Sequence, residues 1–111
     1  VKRISYDDFL GVDIRTGTIV RVEDFPRARR PAYRLWIDFG RLGVKKSSAQ
    51  ITGLYGREEL VGRQILAVVN FPPKQVADFI SEVLVLGVVR DDGKVVLIGP
   101  DREVPPGLRM L

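Results

Sequence analysis

Val12-Asp13-Ile14-Arg15-Thr16-Gly17-Thr18-Ile19-Val20-Arg21-Val22 is rich in residues that favour an extended backbone: Val12, Ile14, Thr18, Ile19, Val20 and Val22. Branching at Cβ stiffens the side chain and suits a pleated surface. Gly17 interrupts the alternation and permits a bulge or a sharp coil. The stretch therefore reads as one long, bent first strand.

Moving downstream, Pro26 and Pro31 bracket a basic loop from Arg27 to Arg30. Tyr33, Leu35, Ile37 and Phe39 then alternate with Arg34, Trp36, Asp38 and Gly40, the cleanest period-two pattern in the chain. A third strand is expected over Ser48 to Thr52, and the segment Gly56 to Gly62, with Glu58, Glu59 and Leu60, reads as one helical turn. The fourth strand covers Gln64 to Val69. Asn70-Phe71-Pro72-Pro73 must be a structured turn, because two prolines cannot continue a central strand. Val83 to Val89 is read as a fifth strand, joined by a two-residue Asp92-Gly93 hairpin to Val95, Val96, Leu97 and Ile98. A tail with three prolines, Gly99 to Leu111, completes the chain.

Upstream, Ser5 and Asp8 have capping-box spacing, and Ile4 and Phe9 the spacing of a hydrophobic staple. They predict a short helix over Tyr6 to Leu10. Such a helix is not stable alone, so Phe9 and Leu10 must pack on the rest of the chain or on a second subunit. The whole order fits an all-β, five-stranded OB-fold Greek-key barrel with a short N-terminal helix and a C-terminal hairpin and tail extension. An SH3-like barrel or a small sandwich gives a similar pattern, so periodicity leaves the three open.

The 111 residues suit a single domain, 1–111, and a chain of that length buries roughly two-thirds of its unfolded surface. Hydrophobic residues at 45% and charged residues at 29% are ordinary for a folded domain. A net charge of +4, carried mostly by arginine, tilts the expectation towards an anionic partner. Histidine and cysteine are both absent. That removes disulfides, thiolate nucleophiles, the usual zinc ligand sets and the commonest general base, so no catalytic residue, metal or cofactor is expected. There is no signal peptide and no apolar run near the roughly 18 residues of a membrane span, so membrane insertion is not expected and the cytoplasm is the expected compartment.

Three motifs decide among the barrels. Asp13-Ile14-Arg15-Thr16-Gly17-Thr18-Ile19-Val20 is similar to D-[IL]-R-V-G-x-I, Gln50-Ile51-Thr52-Gly53-Leu54 to I-V-S-G-[IL], and Asn70-Phe71-Pro72-Pro73-Lys74-Gln75 with Ser81-Glu82-Val83-Leu84 to N-L-K-P-x-K followed by S-[EQ]-G-M. In this order they resemble the tRNA-binding-domain family, an OB-fold module also found fused to some methionyl- and phenylalanyl-tRNA synthetases. The resemblance runs from about Ser5 to Gly107. Within the family, Ser5-Tyr6-Asp7-Asp8-Phe9, Ile37-Asp38-Phe39-Gly40 and Lys45-Lys46-Ser47-Ser48-Ala49-Gln50 look like the CsaA branch, described as a protein-export-related chaperone. Thr16 replaces the usual valine, Pro72 stands where relatives often have lysine, and Val83-Leu84 replaces Gly-Met. These departures bear on the ligand more than on the fold.

The resemblance implies an RNA site at Asn70, Lys74, Ser81 and Glu82. Asn70 could read a base edge or cap the strand end, and Lys74 could neutralise a phosphate or be an ordinary surface lysine. Ser81 could contact a base or sugar, while Glu82 could orient a basic neighbour or accept from a base amino group; the alternative is a turn pair before a strand. Arg34 and Trp36 share the face opposite Tyr33, Leu35 and Ile37, so Trp36 is expected either on an open stacking platform or under a second subunit. Lys45, Lys46, Ser48 and Gln50 read as a loop-to-strand phosphate patch or a solvated hairpin tip, and Arg27, Arg29 and Arg30 as an electrostatic contribution without readout. Asp13 and Arg15 are read as a structural pair.

The expected partners are tRNA or structured RNA and a second copy of the chain in a homodimer. The CsaA resemblance adds unfolded precursor polypeptides, for which Trp36, Phe71 and Phe79 would supply the apolar surface. Docking on another protein is a third possibility.

Overall fold

In the computed structural model, which describes residues 1–111, the β-branched stretch forms β1 (Ile14–Asp24), and β1 organises the sheet. Its first half pairs antiparallel with β4 (Gln64–Val68) and its second half with β2 (Tyr33–Asp38). A strand shared in this way has to bend. The bend is a bulge between Ile19 and Arg21, with Val20 as the extra residue. The sheet is completed by β3 (Val44–Ala49) on β2 and β7 (Leu84–Val85) on β4, giving the order β3-β2-β1-β4-β7.

The outer strands are brought together by Ser81 and Glu82. Glu82 N–H donates to the Lys46 carbonyl (2.8 Å), Lys46 N–H to Glu82 Oε1 (3.0 Å) and Ser48 N–H to Ser81 Oγ (3.1 Å). Two side chains thus satisfy edge amides that a full strand would otherwise pair. The result is a nearly closed, five-stranded antiparallel barrel of OB type, the expected architecture. Its interior holds Ile19, Leu35, Ile37, Phe39, Ile51, Leu60, Ile65, Ala67 and Val83, and Leu60 is supplied by the one-turn helix α2 (Arg57–Leu60).

Gly17 does not make the bulge. A Cβ there would lie 2.6 Å from Ile37 Cγ2 and 2.7 Å from Phe39 Cε1, so glycine is needed for close approach of the core. Gly17→Ala is expected to cost about 1–3 kcal/mol through overpacking, read from urea unfolding. A neutral result would show that the Phe39 ring can move aside.

Three further boundaries differ from the periodicity. The third strand is Val44–Ala49, earlier than expected, because pairing with β2 extends residues of low strand propensity such as Lys45 and Ser47. The apolar run 83–89 is broken at Leu86, whose N–H donates to the Leu66 carbonyl while Gly87–Val89 (β8) turns to pair with Val95–Leu97 (β9). Arg90 and Lys94 close that hairpin, so the loop is Asp91-Asp92-Gly93 with Gly93 at φ 83°, three residues and not two. Between β4 and β7 an additional hairpin forms from β5 (Lys74–Val76) and β6 (Phe79–Ser81).

The N-terminal helix α1 (Tyr6–Leu10) has the expected capping box, Asp8 N–H donating to Ser5 Oγ (3.0 Å) and Ser5 N–H to Asp8 Oδ2 (3.1 Å). None of its residues is buried. The tail runs beside the first half of β1, where Thr16 N–H donates to the Leu108 carbonyl and Met110 N–H to that of Ile14. No helix is long and apolar enough to cross a membrane.

Candidate nucleic-acid interface

Strand alternation places Arg34 and Trp36 on the outer face of β2, as expected. Arg21 and Glu23 flank them from β1, and Lys46 and Ser48 from β3. This face is not open. The β5–β6 hairpin lies over it, with Phe79 edge-on to Trp36 (5.8 Å) and to Phe25 (5.5 Å), and with Ala32 and Val76 completing a second small core. The Arg21 guanidinium covers Trp36 at 4.5 Å. Trp36 is therefore half-buried by its own chain, an environment between the open platform and the subunit interface that the sequence suggested.

Arg34 is similarly occupied. Its Nη2 is 3.2 Å from Glu23, its Nε donates to the Asp24 carbonyl (3.0 Å), and its guanidinium lies 5.5 Å from the Phe25 ring. Lys45 and Lys46 do not form one loop patch. Both lie within β3, where Lys45 stands opposite inward-facing Ile37 and Lys46 opposite outward-facing Trp36, with its ammonium 5.1 Å from the Phe79 ring. Consecutive strand residues face opposite sides, which is why the pair separates.

Asn70 is held by residues far away in sequence. Its Oδ1 accepts from Asp13 N–H (3.0 Å) and its Nδ2 donates to the Gly11 carbonyl (2.9 Å), so the amide ties the loop after β4 to the end of α1. Asp13 and Arg15 form the expected structural pair at 2.7 Å. The hydrogen bond from Arg15, helped by the charges of Arg15 and Arg109, holds the Asp13 carboxyl below the usual carboxylate range.

Ser48, Gln50, Lys74, Ser81 and Glu82 do come together. All five line a cavity of about 550 Å³ whose remaining wall is mostly apolar, including Ile51, Phe71, Leu84, Val85 and Val89. Ser48, Gln50, Lys74 and Val76 also line an adjoining cavity of about 640 Å³, completed by Arg29, Arg30 and Gln75 and free of carboxylates. Arg29, Arg30 and Lys74 take part in none of the salt bridges, whereas Arg27 sits 3.6 Å from Asp78. Unpaired cations keep their full charge for an external anion. A separate cavity near Arg63 and Arg102 also contains Asp101 and Glu103, so its charges oppose one another.

The site is thus one groove with an apolar half and a cationic half, meeting at Ser48, Gln50, Lys74 and Val76. Phe71 is the residue that sequence reasoning left out of the RNA site. Its signal was available, since an aromatic beside two prolines in a turn has no strand to pack into.

The family model described as "Putative tRNA binding domain" matches residues 14–109. The methionine–tRNA ligase of Porphyromonas gingivalis is 38% identical over 104 residues, 94% of this chain but 15% of that protein, so the chain spans a small fraction of such relatives. Among solved structures, the chaperone CsaA of Bacillus anthracis is 55% identical with a TM-score of 0.95, covering 99% of this chain and 100% of that one. The CsaA chaperone protein of Picrophilus torridus is 54% identical with a TM-score of 0.92, covering 98% and 100%.

Proposed function

The chain belongs to the tRNA-binding-domain family, and from that premise we propose that it binds tRNA or another structured RNA without catalysing a reaction on it. The supporting observation is the cationic half of the groove, where Arg29, Arg30 and Lys74 surround about 640 Å³ of accessible space with no carboxylate in the wall. Phosphate contacts of this kind supply affinity and position the RNA, leaving sequence to be read elsewhere. Arginine suits the task because its planar donor fork matches phosphate oxygens.

Lys74 is the one charged residue among the four that line both halves, and it is exposed. Lys74→Ala is expected to weaken tRNA binding and reduce the salt slope by about 1, with the melting temperature unchanged. Filter binding at several salt concentrations beside a thermal melt measures both. Unaltered affinity would return Lys74 to the ordinary surface.

The apolar half favours a second reading, a chaperone that holds unfolded polypeptide, in keeping with the similarity to the CsaA chaperones. Trp36 and Phe79 would not serve it, because Phe79 of the β5–β6 hairpin packs against Trp36. Phe71, Leu84 and Val89 would.

The chain is also expected to form a symmetric dimer. Ile4, Tyr6 and Leu10 at the N-terminus, and Leu108 and Leu111 at the C-terminus, expose apolar surface that the barrel does not cover. Light scattering at micromolar concentration should give twice the chain mass, and a monomer there would refute this.

A further inference from the structure

Phe71 is 53% exposed on a turn carrying Pro72 and Pro73, whereas Phe25 and Phe79 are buried against each other. Its ring contributes little to the folded core and is presented to the apolar cavity by a turn with restricted backbone freedom. Two polar groups on the same wall have capacity left over. Glu82 uses Oε1 to accept from Lys46 N–H, and its other oxygen has no protein donor. Ser81 Oγ accepts from Ser48 N–H, which leaves its own hydrogen free to donate. Lys74 stands where this cavity opens into the cationic one.

We infer that the apolar half of the groove is a pocket for one unpaired nucleobase bearing an exocyclic amino group, with Phe71 as its stacking face, Glu82 as acceptor for the amino group and Lys74 on the adjoining phosphate. The inference rests on the RNA-binding reading above and adds a base subsite to it. Charge arrangement selects this occupant. The carboxylate lies on the apolar wall, and the cationic half contains none, so a ligand with a flat apolar ring, an N–H donor and a neighbouring anion is matched at all three places. Uracil presents a carbonyl where adenine or cytosine presents an amino group, and that carbonyl would face the Glu82 carboxylate with no hydrogen between them.

The full chain is titrated with labelled tRNA and with short single-stranded oligo(A), oligo(C) and oligo(U). Phe71→Ala should weaken tRNA binding roughly fivefold to a hundredfold, the range for loss of one stacking partner, with an unchanged salt slope. Phe71→Tyr should restore most of it, and both variants should melt like the parent because the ring is exposed. Oligo(A) or oligo(C) should bind roughly tenfold more tightly than oligo(U). Equal affinity for the three oligonucleotides overturns the inference. So does a Phe71→Ala variant that keeps its tRNA affinity while Lys74→Ala loses it, a result that leaves RNA binding itself intact. A parent chain that binds no tRNA removes the underlying reading. Loss of binding to a reduced, unfolded polypeptide with tRNA affinity preserved would assign the pocket to peptide and overturn the inference as well.

Discussion

Phe39→Ala is expected to lower the unfolding free energy by about 3–5 kcal/mol. Phe39 follows β2 directly and is fully buried, the largest side chain in the molecule with no exposure. Its ring occupies the space that Gly17 leaves vacant, and a Cβ on Gly17 would come within 2.7 Å of it. The walls of the resulting cavity are paired strands, β1 and β2, whose ladder hydrogen bonds resist collapse. The cost should therefore include a cavity contribution beyond the lost transfer of the ring. Against the roughly 5–15 kcal/mol that stabilises a typical domain, this is a large fraction. Urea unfolding should show a lower midpoint with little change in slope. A loss under about 1 kcal/mol would contradict the packing of Phe39 against Gly17, because even a shallow, collapsible site forfeits more than that for a whole ring.

The tRNA association constant is expected to fall on the order of a hundredfold between 50 and 200 mM monovalent salt, as it would if about four phosphates were neutralised. Arg29, Arg30 and Lys74 are the unpaired cations around the groove, and Lys46 stands on the neighbouring strand. Arg34 should contribute little because Glu23 already neutralises it at 3.2 Å. Each phosphate contact releases a condensed counterion, and raising the salt makes that release less favourable. Apolar binding responds in the opposite sense to strongly hydrated salts such as sulfate. A nearly flat titration would therefore move the functional assignment from RNA to the apolar half of the groove and to polypeptide. The same titration on Lys74→Ala should show a shallower slope, which ties the effect to that residue.

Local pattern was sufficient for much of the fold. The capping box at Ser5 and Asp8 closes within four residues, and the alternation from Tyr33 to Phe39 assigns each side chain of β2 to the correct face. The helical turn at Arg57–Leu60 and the Asp13–Arg15 pair were likewise readable, since every partner lies close in sequence. Family motifs then selected the OB barrel from other small barrels, and they brought Lys74, Ser81 and Glu82 to the groove.

The sequence alone thus determined which side of a strand each residue faces, because that depends on a two-residue repeat carried by the chain itself. What covers that side depends on segments that the fold brings in from elsewhere in the chain. Trp36 faces outward as the alternation requires, yet Phe79, forty-three residues later, lies against it. Asn70 reads in the sequence as a base-edge contact or a local strand-end cap, until the backbone of Gly11 and Asp13 occupies both ends of its amide. Val83 to Val89 is uniformly apolar, and its division arises because β4 holds it only as far as Leu86, whose N–H donates to the Leu66 carbonyl, before β9 takes over as the partner. Lys45 and Lys46 carry no strand signal of their own and are extended by β2. For Trp36 and Asn70 the deciding contact or hydrogen bond joins distant segments, and no local periodicity records which distant segment will arrive.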